Sequence, residues 1–171
     1  MSATIVSPLH ETPPADAVSR AGKYLTFFLN DEEYGLEILK VSEIISMQPI
    51  TRVPRMPSFV RGVINLRGKV IPITDLRCKL NMPDATHDES CIVVVQLRGV
   101  QTGLVVDRVS EVVAIAEADI NDAPSFGAGI HTEFLLGIGI QGGRVRLLLD
   151  IDKVLARAEV DALHTFDAAA A

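Results

Sequence analysis

The chain has 171 residues, 48% of them hydrophobic, and a net charge of −6. That is enough apolar content to fill a core, and the acidic balance excludes the long basic stripe of a nucleic-acid binder. The start lacks the basic and apolar signature of a signal peptide, and no apolar run approaches the roughly 18–20 residues that cross a bilayer.

Residues 1–21 carry Pro8, Pro13 and Pro14 among Ser, Ala and Thr without periodicity, which predicts a disordered lead-in. The pattern changes at Tyr24. YLTFFL, the polar turn NDEE (30–33) and YGLEI predict a β-hairpin. LKVSEII follows and is ambiguous. Leu36 and Ile38 alternate as in a strand, whereas Ile38, Val41, Ile44 and Ile45 also share one helical face; we read strand, brief turn, strand. A loop marked by Pro54 and Pro57 leads to a second hairpin, GVINL and VIPITDL around Arg67-Gly68-Lys69. Five basic residues fall in this stretch, Arg52, Arg55, Arg61, Arg67 and Lys69, a local patch rather than a polyanion groove.

Residues 81–90 (NMPDATHDES) read as a polar linker, and the layout then recurs. CIVVVQL and TGLVV flank a turn at 98–101. GLVVDRVSEVV (103–113) repeats GLEILKVSEII (35–45) with five identities in eleven positions. FLLGIGIQGGRVRLLLDI (134–151) matches FVRGVINLRGKVIPITDL (59–76) at Phe, two Gly, Val and Asp. One β unit has been written twice, with its boundary near 81–90. Each copy is too small to bury much surface alone, so the two are expected to lean on each other. A single C-terminal helix is predicted from Val154, Leu155, Ala158, Ala162 and Leu163, with Asp152 as its cap, before a tail at 164–171.

Catalytic chemistry finds little support. His10, His87, His131 and His164 stand alone, so no metal-ligand spacing occurs. Cys78 and Cys91 form no C-x-x-C pair and suit a reduced compartment. Gly137-Ile138-Gly139-Ile140-Gln141-Gly142 fits the dinucleotide pattern G-x-G-x-x-G. That chemistry needs a helix N-terminus after the loop, and VRLLLDI reads as strand. Asp75 and Asp150 occupy equivalent repeat positions and read as turn or cap residues. No cofactor is expected. A small-ligand enzyme using the GIGIQG loop is the rival from another class, and a nucleotide-binding assay would separate the two.

Differences between the copies point to recognition. Arg67 stands where the second unit has Gly142, and its planar fork can hold a carboxylate across an interface. Glu43 and Glu111 are shared, each after a serine. Leu25, Ile38, Val41, Ile44 and Val112 lie on strands with both faces apolar, which predicts either contact between the units or surface awaiting a partner.

DEEYGLEILKVSEI, RVPRMPSFVRGVINLRGKVIPITDLR and GLVVDRVSEV resemble the CheW-type chemotaxis coupling proteins over roughly residues 22–163. The resemblance implies a mainly β fold of two small five-stranded SH3-like barrels that partly exchange strands, with a groove between them. It implies a non-catalytic, cytoplasmic adaptor that links chemoreceptor tips to the histidine kinase CheA in arrays beneath the inner membrane. Adaptor and kinase regulatory domain would alternate in rings, a heterologous contact that closes. By position, Glu43, Ile44, Arg67, Val93 and Val112 match the family's receptor-binding residues, and Leu25, Ile38 and Val41 its kinase-facing surface. The output of the array, flagella, pili or another, stays open. A fragment of a larger kinase or receiver fusion is the alternative within the same class; the tail-like ends favour a stand-alone adaptor.

Overall fold

The computed structural model describes residues 20–80, 82, 89–97, 99–122 and 134–155. In chain order the strands are β1 (Gly22–Leu29), β2 (Glu32–Glu37), β3 (Val41–Ser46), β4 (Val60–Leu66), β5 (Lys69–Asp75), β6 (Cys91–Leu97), β7 (Val100–Val106), β8 (Arg108–Ile115), β9 (Ile120–Asn121), β10 (Leu135–Gln141) and β11 (Arg144–Leu149). Two four-residue helices follow the hairpins that the repeat predicts, α1 (Leu76–Lys79) after β5 and α2 (Ile151–Val154) after β11.

The strands form two sheets, and neither belongs to one copy of the repeat. One sheet runs β8-β1-β2-β11-β10-β9, the other β3-β6-β7-β5-β4. The first hairpin, β1–β2, therefore sits among strands of the second copy, and β6–β7 among strands of the first. Parallel pairings β11 with β2 and β5 with β7 stitch the exchanged hairpins in place. These are the predicted strand-exchanged SH3-like barrels; the first sheet adds a sixth, two-residue strand, β9.

Alternation explains why so many strands are apolar on both faces. Ile64, Ile71, Ile73, Ile92, Val94 and Val105 fill the inside of one barrel, and Tyr24, Ile115, Ile120 and Leu148 that of the other. The opposite faces, with Leu25, Phe27, Leu36, Val93, Val95, Leu104 and Leu149, form the largest cluster, the seam between the sheets. Val93 and Val94 are adjacent in β6 and serve different cores.

Asp75 and Asp150 are caps. The Asp75 carboxylate accepts from the N–H groups of Arg77 and Cys78, and that of Asp150 from Asp152 N–H. The cap of the C-terminal helix is thus Asp150 rather than Asp152, and α1, which the sequence reading lacked, is its repeat counterpart. Ala158, Ala162 and Leu163 lie outside the described residues, as do the four histidines and most of the 81–90 linker. Arg20, assigned to the lead-in, is tied down by Glu117 and Asp122. Cys78 and Cys91 are both free thiols.

Candidate partner-binding surfaces

The i, i+3 spacing of Val41 and Ile44 comes from a β-bulge. Val41 faces Val95, but Glu43 already faces Val94, so Ser42 is the extra residue. The bulge returns Val41 and Ile44 to one face of β3 and puts Glu43 and Ile45 on the other. The second copy repeats the device. Leu25 pairs with Val112 and Phe27 with Val109, leaving an extra residue in β8 opposite Thr26. Thr26 Oγ1 donates to Glu111 O at 2.9 Å and accepts from Glu111 N at 3.1 Å, which fixes that bulge.

Ile44 and Val112 consequently hold equivalent places. Each lies on an edge strand, is 44% and 51% exposed respectively, and sits directly opposite a seam residue, Val93 for Ile44 and Leu25 for Val112. Val93 and Leu25 themselves are buried in the core. Of the sequence-predicted contact residues, these two present no surface to a partner; they back the two that do. Contact between the units explains them, as half of the sequence argument allowed.

Glu43 and Arg67 meet. Arg67 Nη1 donates to Glu43 Oε1 at 3.2 Å and Nη2 donates to Oε2, a bidentate pair. The hydrogen bonds that Glu43 accepts, then its charge, hold the Arg67 guanidinium above its ordinary value. Arg67 is at the tip of the β4–β5 hairpin with φ 53°, a left-handed conformation that Gly142 adopts in the copy at φ 60°. Asn65 Oδ1 accepts from Gly68 N at 2.8 Å and steadies the turn. The pair thus spans β3 and the hairpin tip of one barrel, with Arg67 70% exposed.

The second barrel, built on the β8-β1-β2-β11-β10-β9 sheet, closes the same gap with a network in which Glu33 and Arg146 are buried and Arg144 and Glu111 half exposed. Glu111 Oε2 takes Arg144 and Arg146, both at 3.3 Å, and Glu33 takes Arg144 at 2.6 Å and Arg146 at 3.1 Å. Burial opposes ionisation of Glu33, but the hydrogen bonds and charge of Arg146 with those of its neighbours outweigh it, so the carboxyl lies below its ordinary value. Arg146 corresponds to Ile71, and Glu33 to Gln101, in the first barrel.

The chain crosses between barrels twice, and the crossings differ. The second is pinned by Arg77 Nη1 to Asp107 Oδ1 at 3.0 Å, both side chains buried. The first, a 3-10 turn at Ile38–Lys40, is held by Lys40 Nζ to Asp152 Oδ2 at 2.8 Å, both about one-third exposed. Ile38 opens it and Val41 follows it, both half-buried against the seam. Leu39 between them is 96% exposed and is the repeat counterpart of buried Asp107. The sequence reading passed over Leu39; an apolar residue replacing an aspartate between copies was its signal. Ile140 and Val145, cross-strand partners and exposed, were missed as well.

The GIGIQG loop is a strand and a hairpin turn. Gly137 and Gly139 lie in β10, and Gly142-Gly143 turn into β11. No helix N-terminus follows, so the dinucleotide geometry is missing. A Cβ on Gly137 would come within 2.7 Å of Ile120 and 2.8 Å of Asn121 O, which accounts for a glycine where β9 packs.

The CheW-like domain family matches residues 23–159, the strands, crossings and caps just described. The chain belongs to the CheW-like family. It is 42% identical to the chemotaxis protein CheW of Klebsiella aerogenes, over 81% of this chain and 84% of that one. It is 33% identical to the CheW of Rhizobium meliloti, over 88% and 99% respectively. A solved scaffolding protein, TtCheW of Thermoanaerobacter tengcongensis, superposes with a TM-score of 0.73 at 33% identity, covering 81% of this chain and 95% of that one. A CheW-like chain is a non-catalytic chemotaxis coupling adaptor, in keeping with surfaces made of apolar rims and ion pairs. No helix among the described residues is long and apolar enough to cross a membrane.

Proposed function

We propose that this adaptor couples the cytoplasmic hairpin tip of a chemoreceptor to the regulatory domain of the histidine kinase CheA, and that the two partners use different parts of the surface. The receptor tip takes the rim of the seam, Ile44 and Val112, beside the Glu43–Arg67 pair. The kinase domain takes the first crossing, Ile38 and Val41, to which we add Leu39. Leu25 and Val93 support these surfaces from the core. The reading places the protein in the cytoplasm, at receptor arrays beneath the inner membrane.

The observation that carries it is the placement of two exposed β-branched residues, Ile44 and Val112, at equivalent positions on the two edge strands, each directly over the buried seam. Apolar surface continuous with a core is what a partner helix or hairpin buries. Coupling is then a difference in partner affinity between states of the assembly. Separate pull-downs test the division. Val41→Asp should weaken capture by the kinase regulatory domain more than capture by a receptor tip; equal losses would count against it.

A further inference from the structure

A concave site lies apart from the seam and the first crossing. At the base of the β4–β5 hairpin, a cleft of about 680 Å³ opens between the 50–61 segment and α1, lined by Ile50, Arg52, Val60, Arg61, Cys78 and Met82, with Ser58 and Asp75. It is some six residues along β4 from Arg67, or about 20 Å, so it is not the receptor surface proposed above.

Its electrostatics run against those of the chain. Between Glu43 and Asp75 there is no acidic residue, yet the stretch holds Arg52, Arg55, Arg61, Arg67 and Lys69, in a protein of net charge −6. Arg52 is exposed and has no ion-pair partner among the described residues. Arg61 reaches Asp75 Oδ2 through a single contact of 3.3 Å. The cap of α1 uses Asp75 Oδ1 and Arg61 holds Oδ2 through Nη1 alone, so among the described residues the rest of the Arg61 fork has no ion-pair partner. Arg55 adopts a left-handed backbone at φ 66°, one of three non-glycine residues to do so among those described. Beside the guanidinium groups stand apolar walls, Ile50, Val60 and Met82.

We propose that this cleft binds an extended acidic segment of a partner protein, its carboxylates on Arg52 and Arg61 and its apolar side chains against Ile50, Val60 and Met82. Paired guanidinium forks suit planar carboxylates. The remaining patch charges, Arg55 and Lys69, draw an acidic chain toward the site from a distance. Nucleic acid fits less well, because two guanidinium groups in a short cleft meet few phosphates of an extended backbone. A membrane surface fits less well too, because the apolar groups are recessed in a cleft instead of projecting from it. The proposal is independent of the receptor and kinase assignments, and its failure would leave them standing.

Cys78 lies in the cleft and reports on it. In the full chain with Cys91→Ser, Cys78 is the one remaining thiol, and its alkylation by iodoacetamide gives a rate. A blocked peptide of about twelve residues alternating glutamate and leucine is the probe, with a lysine–leucine peptide as its match. We expect the acidic peptide to slow alkylation several-fold and the basic one to leave the rate unchanged. Arg52→Glu, which breaks no hydrogen bond or ion pair among the described residues and should leave melting unchanged, should weaken peptide binding at least about tenfold, and Arg55→Glu, outside the cleft, far less. No slowing, equal slowing by the basic peptide, or equal effects of the two substitutions would overturn the proposal. So would slowing by oligouridine or phosphatidylserine vesicles without slowing by the acidic peptide.

Discussion

Arg67 shows what one residue can reveal when its chain carries a second copy of the same turn. Both hairpins need a positive φ at this position, and glycine is the inexpensive solution that the second copy uses. An arginine there accepts an unfavourable backbone and gains a bidentate contact to Glu43. Arg67→Gly should therefore leave the melting temperature unchanged or higher, while receptor-dependent kinase activity falls. A lowered melting temperature with intact coupling would show that the pair serves only the fold. The mismatch was legible from sequence alone. Its partner was not, because Glu43 is 24 residues away and only the closing of the barrel brings the two together. The Glu33–Arg146 pair makes a second case. The first barrel solves the same packing problem with Gln101 and Ile71. Arg146→Ile should cost about 2–3 kcal/mol, less than for a fully orphaned carboxylate because Arg144 still reaches Glu33. The double change Glu33→Gln with Arg146→Ile should recover most of it in urea denaturation. Because the folded Glu33 carboxyl lies below its ordinary value of 4.5, its contribution is present above that pH and lost as pH falls through the folded value. The stability gap between the parent protein and Glu33→Gln should accordingly narrow below about pH 4.5.

At the scale of elements, the instructive stretch is LKVSEII. Its apolar spacing fits a helix as well as a strand, and the physical reason is the bulge at Ser42, which inserts one residue and turns a period of two into a step of three. The ambiguity in the sequence was thus a real property of the strand. The hairpins themselves were plain, since alternation and glycine turns are local signals. The four-residue helix α1 was not, because so short a run shows no periodicity; only the equivalence of Asp75 with Asp150 hinted at it. Burial, too, was undecided at this scale. Leu25 and Ile44 read alike as apolar residues on two-faced strands, yet one is in the seam and the other on its rim. Leu25→Ala should cost about 2–5 kcal/mol, whereas Ile44→Ala should cost well under 1 kcal/mol, as measured by urea denaturation.

At the scale of the whole molecule, the repeat announces two units but not how they are wired. Each copy supplies strands to both sheets, so the copy boundary in sequence is not a boundary between barrels. Pattern and spacing could not show this, since either copy's hairpin fits either sheet; the family resemblance supplied the expectation. A consequence is that neither half should fold alone. Residues 20–82 and 89–155 made separately should each show weak chemical-shift dispersion, and mixing them should restore the spectrum of the intact domain. The crossings that join the barrels are also unequal. The buried Arg77–Asp107 pair holds one, and the Lys40–Asp152 pair, about one-third exposed, the other, so salt should loosen the first crossing more than the second. That softer crossing leads directly into β3, which carries Glu43 and Ile44. The central claim is that the rim of the seam, and not the first crossing, holds the receptor. The most direct test is capture of the Ile44→Asp, Val112→Asp double variant by an immobilised receptor tip and, separately, by the kinase regulatory domain. The account predicts a folded protein that keeps the kinase and loses the receptor; retention of the receptor, or loss of the kinase in equal measure, would contradict it.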